Sequence, residues 1–169
     1  MAINLPDLPQ AVRTYLNSKV TVTVSPPTPS SGTSIGPEET FTFRVNVVNA
    51  PAANGGILLI NVRYSIHVEN PNVLKIRVPT SGSSLDGSGA PIAPGTEVGF
   101  LEFDPFSPLL STLQIGETDG FTFTGIAGKG QAGGSTAITA KVLADPDINA
   151  LFPRNEDSTS GTRSVAVVG

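Results

Sequence analysis

The chain contains one histidine, and its neighbours decide whether it could act as a catalytic base. His67 stands between Ser65 and Glu69 in an alternating segment, so the three side chains share one face of a predicted strand. Residues two apart in a strand are separated by about 7 Å, which is too far for a tight proton relay without side-chain reach. The sequence also lacks nucleophile-elbow, Walker-type and dinucleotide-binding glycine motifs. We therefore expect a chain without enzymatic activity or cofactor, with His67 on a solvated face.

Oxygen-bearing side chains are concentrated in one segment near the C-terminus. Asp145, Asp147, Asn149 and Glu156 have the ligand spacing of an EF-hand-type calcium loop. Ala150 stands where the sharp turn of such a loop favours glycine, and a predicted strand precedes the segment instead of a helix. The spacing leaves calcium binding open. Ala150 in place of glycine and the preceding strand favour a solvated hairpin connection, and we predict no metal site.

Composition excludes several classes of partner. The 169-residue chain has no Cys, 14% charged residues and a net charge of −4. A disulfide framework and a thiolate zinc site are therefore impossible, and the acidic balance argues against nucleic acid as a partner. Trp is absent and Tyr occurs twice, so aromatic platforms for sugars are poorly supplied. No apolar run approaches the roughly 20 residues that span a bilayer, so we expect no membrane partner.

Alternating hydrophobicity is the main structural signal. Gly and Pro make up about a fifth of the chain, so turns are frequent. Between the turns, apolar residues recur with period two in about seven to eight segments, with no repeating strand–helix pattern. This pattern predicts an all-β, immunoglobulin-like sandwich of two antiparallel sheets, with a jelly roll as the alternative. The predicted strands cover residues 20–24, 40–48, 58–69, 73–78, 97–103, 121–126, 135–144 and 162–168.

The phase of each strand predicts the core. In the longest strand, 58–69, one face is apolar and Leu59 alone breaks the polar face. The segment 79–95 is a long Gly, Ser and Pro loop, which we expect to be either mobile or used for contact. The side chains predicted to be largely buried are Phe43, Val62, Tyr64, Ile66, Phe100, Phe121 and Ile138.

Two apolar segments lie outside this strand pattern. Residues 6–18 form the one helix candidate, and residues 103–113 are apolar but broken by prolines. The helix either plugs one end of the sandwich or docks on a neighbouring subunit, and the loop either caps the core or presents an apolar patch. We accordingly divide the chain into an N-terminal arm, 1–19, and one sandwich domain, 20–169. The interface candidates are Leu8, Val12, Tyr15, Leu16, Phe106, Leu109 and Leu110.

Three stretches carry a family resemblance. Residues 36–49 resemble the entry strand of bacterial immunoglobulin-like extracellular modules, and residues 113–123 resemble a later strand of the same modules. Residues 137–168 resemble their last hairpin, with an Asp-Pro-Asp turn, an acidic stretch and a closing valine strand. The nearest family is the cell-adhesion-related domain found in bacteria (CARDB). The resemblance implies an immunoglobulin-like sandwich in an extracellular, adhesive setting.

Together these features predict a non-catalytic structural or adhesive protein. No secretory signal is visible at the N-terminus, so we expect a virion protein such as a phage capsid decoration protein. The alternatives are a bacterial cell-surface adhesion or ligand-binding module whose signal was removed, and an accessory domain of a secreted enzyme. The expected partner is another protein chain, either a further copy in a homo-oligomer or a capsid or surface protein. The expected location is the virion or the extracellular surface.

Overall fold

A computed structural model describes residues 15, 18–32, 34–104, 112–146 and 161–167. The backbone at Tyr15, Ser18 and Lys19 is helical. The rest of the predicted 6–18 helix lies outside the described residues, so that helix stays a prediction.

The described residues form two antiparallel sheets. The strands in chain order are β1 (Val20–Val24), β2 (Thr28–Pro29), β3 (Thr40–Asn49), β4 (Leu59–Val68), β5 (Leu74–Arg77), β6 (Ser83–Leu85), β7 (Glu97–Val98), β8 (Phe100–Asp104), β9 (Thr112–Leu113), β10 (Thr118–Ala127), β11 (Ser135–Pro146) and β12 (Gly161–Ala166). The first sheet has the order β1-β3-β10-β5-β7, with β2 paired to β3. The second sheet has the order β12-β11-β4-β8-β6, with β9 paired to β4.

The strand order is that of an immunoglobulin-like sandwich. The longest ladders join β3 to β10 and β4 to β11, which places non-consecutive strands side by side at the centre of each sheet. Such crossovers between two facing sheets are the immunoglobulin-like arrangement. The predicted fold class, an all-β sandwich of two antiparallel sheets, is therefore confirmed.

The core lies between the inner faces of the two sheets. Alternation in β1 and β3 places every second residue inside, as the sequence predicts. Phe43, Val62, Tyr64, Ile66 and Ile138 are buried as expected. An aromatic cluster lies in this core, with Phe123 in contact with the following three rings: Phe43 at 5.7 Å, Phe103 at 5.4 Å and Phe121 at 5.0 Å between centroids.

A bulge in β4 explains the break in its alternating pattern. Arg63 pairs with Leu143, whereas Ile60 pairs with Asp145, so β4 carries one more residue than β11 between these two pairs. An extra residue reverses the phase of a strand. Leu59 is consequently fully buried, although strict alternation had placed it on the polar face, and Ile60 is half-buried.

The predicted strand 97–103 is two strands in two different sheets. β7 pairs with β5 in the first sheet, and β8 pairs with β4 in the second. The chain crosses between the sheets at Gly99, where an added Cβ would lie 2.8 Å from Cβ of Pro71. After this crossing Leu101 and Phe103 are buried, and Phe100 is half-buried on the outer face.

Two side chains of the predicted core are less buried than expected. The expectation that Phe100 lies in the core is wrong, because the pairing of β8 with β4 places its neighbour Leu101 inside instead. Phe121 is half-buried, although its ring packs 4.5 Å from that of Phe103.

The loop 79–95 is organised by hydrogen bonds. It contains β6, and Ile92 N donates to Ser84 O over 2.9 Å, which turns the loop back on itself. The carboxylate of Asp86 accepts hydrogen bonds from the Ser88 hydroxyl at 2.7 Å and from the backbone N–H groups of Ser88 and Ala90 at 2.8 and 3.0 Å. These bonds, the Ser88 hydroxyl first, hold the pKa of Asp86 below its usual value.

Candidate functional site

Asn49 is a buried polar junction at the end of β3. Its side chain is fully buried, and its Nδ2 donates to Ile57 O over 2.8 Å and to Gln114 O over 3.1 Å. Its Oδ1 accepts from Ala50 N over 2.9 Å. A buried amide is stable only when its donors and acceptors are paired. Asn49 therefore fixes the relative positions of the β3–β4 loop and the segment before β10.

Tyr15 joins the N-terminal segment to this junction. Its hydroxyl donates to Oδ1 of Asn49 over 2.8 Å and accepts from Ile57 N over 2.8 Å. The ring is half-buried and packs against the core. The Tyr15 side chain thus contacts its own chain. Tyr15 is therefore a fixed point at which the N-terminal segment is attached to the sandwich.

Two exposed apolar side chains lie around the same junction. Among the described residues, Val48 and Ile115 are the large hydrophobics that are exposed, at 40% and 47%. Val48 precedes Asn49, and Ile115 lies in a turn whose Gly116 N donates to Ala50 O over 2.9 Å. Exposed Pro51 and Ala53 continue this surface. We call the surface formed by Val48, Pro51, Ala53 and Ile115 the Asn49 end.

A shallow concavity of about 560 Å³ lies beside Val48 and Pro51. Lys19 is the charged residue among its described lining residues, and its Nζ donates to Asn54 O. The other lining side chains are small, polar or apolar. A weakly charged concavity next to exposed apolar groups is typical of a protein contact surface rather than of an ion-binding site.

Both predicted interface segments, the N-terminal arm and the loop 103–113, end near this surface. Leu59, at the start of β4, pairs with both Leu113 and Pro146, so the chain enters and leaves the described structure close to the Asn49 end at these positions. Of the predicted interface residues, Tyr15 is described and has been placed above. The others lie outside the described residues: Leu8, Val12, Leu16, Phe106, Leu109 and Leu110.

The structure describes one of the four candidate calcium ligands. The backbone of Asp145 is in β11, whereas Asp147, Asn149 and Glu156 lie outside the described residues. In the part of the chain that is described, no group of three or more His, Cys, Asp or Glu side chains could hold a metal ion. Calcium binding in this segment therefore stays untested.

His67 is exposed, as the sequence predicts. In the sheet it pairs with Thr139 on one side and Phe100 on the other, and its ring centroid lies 6.5 Å from that of Phe100.

Within the described residues, no helix is long and apolar enough to cross a membrane.

Glu39 organises a loop at the opposite end of the sandwich, a feature that sequence reasoning missed. Its carboxylate accepts from the N–H groups of Ser31 and Gly36 at 2.7 and 2.8 Å and from the Ser30 hydroxyl at 3.2 Å. Hydrogen bonds from the side chain of Ser31, from Gly36 N–H and from Ser31 N–H lower the pKa of Glu39 to about 2. A Glu within a run of Ser, Gly and Pro was the available sequence signal.

Comparison with known proteins finds solved structures of low similarity. No family model matches the chain, and no curated protein matches it. The CARDB resemblance therefore stays a prediction. Solved structures with some similarity include AvmM, which catalyses macrocyclization in alchivemycin A biosynthesis, at 13% identity and a TM-score of 0.49, covering 90% of each chain.

Two further solved structures are similar at the same level. The C-terminal domain of Wzt is 12% identical with a TM-score of 0.43, covering 89% of this chain and 72% of that one. The C-terminal domain of the Streptococcus agalactiae AgI/II polypeptide BspA is 15% identical with a TM-score of 0.40, covering 89% and 50%. Similarities at this level carry no argument about activity, ligand or partner.

Proposed function

We propose that this chain is a structural or adhesive sandwich protein that assembles with further copies of itself through the Asn49 end. The observation that carries the proposal is the position of Val48 and Ile115, the exposed large hydrophobics among the described residues, at the end where Tyr15 anchors the N-terminal segment. Exposed apolar side chains that cluster at one place on a sandwich are typical of contact surfaces.

The finer form of the proposal is a virion component, such as a phage capsid decoration protein. It is supported by the sequence pattern of an apolar arm added to a sandwich, because such a stripe needs a surface on which to be buried. A bacterial surface adhesion module and an accessory domain of a secreted enzyme are the competing functions. We propose no catalytic role for the chain and no cofactor.

The test is the oligomeric state of the full chain. Light scattering should show an oligomer at high concentration for the unmodified protein, and the double variant Val48→Lys/Ile115→Lys should be monomeric with an unchanged circular dichroism spectrum. Lysine introduces charge into the contact without entering the core, because both positions are exposed.

A matched control is Thr23→Lys, an exposed position on the outer face of β1. This variant should assemble like the unmodified chain. A full chain that stays monomeric at every concentration would remove the support for self-assembly and favour the surface-module alternative.

A further inference from the structure

The two sides of the Asn49 end carry opposite charges. In the first sheet, β3 lies between β1 and β10. Lys19 directly precedes β1, and Glu117 directly precedes β10. Val20 pairs with Asn49, and Asn49 N donates to Glu117 O over 2.9 Å. Lys19 and Glu117 therefore lie on opposite sides of the end of β3.

Each of the two charged groups is held at this surface by one hydrogen bond within its own chain. Nζ of Lys19 donates to Asn54 O, which places the ammonium beside the β3–β4 loop. The carboxylate of Glu117 accepts from Gln114 N over 2.6 Å, which places it beside the turn that contains Ile115. An ammonium has three N–H donors and a carboxylate has two acceptor oxygens, so each group keeps capacity for a second partner.

The apolar part of the surface lies between these charges. Val48 pairs with Thr21 of β1 on one side and with Thr118 of β10 on the other. The β3–β4 loop adjoins the Ile115 turn, since a Cβ at Gly116 would lie 3.7 Å from Cα of Pro51. Read from β1 to β10, the Asn49 end is thus positive, apolar and negative.

Two further charges lie along β10 and leave this polarity unchanged. Asp119 adds a carboxylate, which accepts from Gly120 N over 2.7 Å. Arg44 adds a guanidinium on the same side, where its Nε lies 3.0 Å from the position of a Cβ at Gly120. Among the described residues of this end, the β1 side therefore carries one positive charge, and the β10 side carries a single net negative charge.

A surface with opposite charges on its two sides is complementary to itself after a half-turn. We propose that the Asn49 end binds a second copy of the chain in a two-fold contact, in which Lys19 pairs with Glu117 of the partner subunit. This inference rests on the proposed self-assembly and adds its geometry. The apolar side chains supply affinity, and the charges select the orientation, because any head-on contact without the half-turn brings like charges together.

The test uses two charge reversals and their mixture. Lys19→Glu and Glu117→Lys each place like charges against one another in a pair of identical copies. Each variant alone should therefore have a dissociation constant at least about tenfold higher than that of the unmodified chain, measured by light scattering over a concentration series. An equimolar mixture of the two variants should return to within about threefold of the unmodified chain, because both contacts of a mixed pair again join opposite charges.

A matched control is Lys75→Glu, which makes the same change of charge at an exposed position of β5. Lys75 pairs with Ile126, at the far end of β10 from the Asn49 end, so this variant should assemble like the unmodified chain. Added salt should tighten the assembly of each single reversal, because salt screens the repulsion. Circular dichroism should be unchanged in all three variants.

The two-fold contact is overturned if either single reversal assembles as tightly as the unmodified chain, or if the mixture stays dissociated. The proposed function is tested separately. If Val48→Lys/Ile115→Lys separates the oligomer while the charge reversals have no effect, assembly through the Asn49 end stands and its two-fold geometry is wrong. A chain that is monomeric at every concentration overturns both.

Discussion

The hydroxyl of Tyr15 donates to Oδ1 of the buried Asn49 and accepts from the backbone N–H of Ile57, both over 2.8 Å. One side chain of the N-terminal segment therefore gives Asn49 Oδ1 a second donor, beside Ala50 N, and gives Ile57 N its acceptor. Because Asn49 also binds the segment before β10, this contact couples the N-terminus to two loops. The N-terminal segment thus contributes to stability, whatever its remaining residues contact.

Tyr15→Phe tests this coupling. The variant keeps the ring but removes the hydroxyl, leaving Asn49 Oδ1 with one donor fewer and Ile57 N without its acceptor. We expect a loss of about 1–3 kcal/mol in the free energy of unfolding, measured by urea denaturation. Ser18→Ala, at an exposed position nearby, should cost about 0.5 kcal/mol or less. Equal losses in the two variants would contradict a specific role for the Tyr15 hydroxyl.

Deletion of residues 1–18 tests the arm as a whole. We expect a folded β-protein, because the core is formed by the two sheets. We also expect that this shortened protein no longer assembles. The loss of Tyr15 should lower the thermal unfolding midpoint by at least as much as Tyr15→Phe does. Circular dichroism and light scattering are the measurements. If the deletion unfolds the chain, the N-terminal segment is a plug that the fold requires, and the arm interpretation is wrong.

Phe123→Ala tests the aromatic core. Phe123 is 1% exposed and contacts three other rings, so truncation leaves a cavity that the rigid sheets cannot close. We expect a loss of about 3–5 kcal/mol in the free energy of unfolding. Tyr64→Ala, which removes another buried ring, should cost a similar amount. Phe100→Ala should cost about 1 kcal/mol or less, because its ring lies on the outer face. A large loss for Phe100→Ala would mean that the assigned phase of β8 is wrong.

Glu39 gives a pH-dependent prediction. Its pKa in the folded chain is lowered from 4.5 to about 2, so the folded state favours the ionised carboxylate. The stabilisation from Glu39 is therefore fully present above pH 4.5 and is lost as the pH falls through about 2. Carboxyl carbon shifts should give a midpoint near 2 for this residue. The stability difference between the unmodified chain and Glu39→Gln should shrink over the same interval, and a constant difference would contradict the assignment.

The sequence predicts the sandwich because period-two alternation reports burial of one strand face. In β1 and β3 the alternating valines and phenylalanines are separated by Thr, Arg and Asn, so one phase alone is compatible with a core. β8 is different, since Phe100, Leu101 and Phe103 place apolar side chains in both phases. Alternation cannot choose between two apolar phases, and this is why the burial of Phe100 was predicted wrongly.

What the sequence by itself determined was the all-β class, the positions of the long strands and the exposure of His67. Tertiary structure decided the features that depend on pairing between distant strands. The bulge in β4 follows from the pairing of β11 on either side of it. The crossing at Gly99 follows from the pairing of β7 with β5 and of β8 with β4, and Pro71 lies too close to Gly99 to leave room for a side chain there. The Asn49 junction likewise joins residues far apart in sequence, Tyr15, Ile57 and Gln114. Local patterns report which side of a strand is apolar, but partners and phase follow from which strands meet in space.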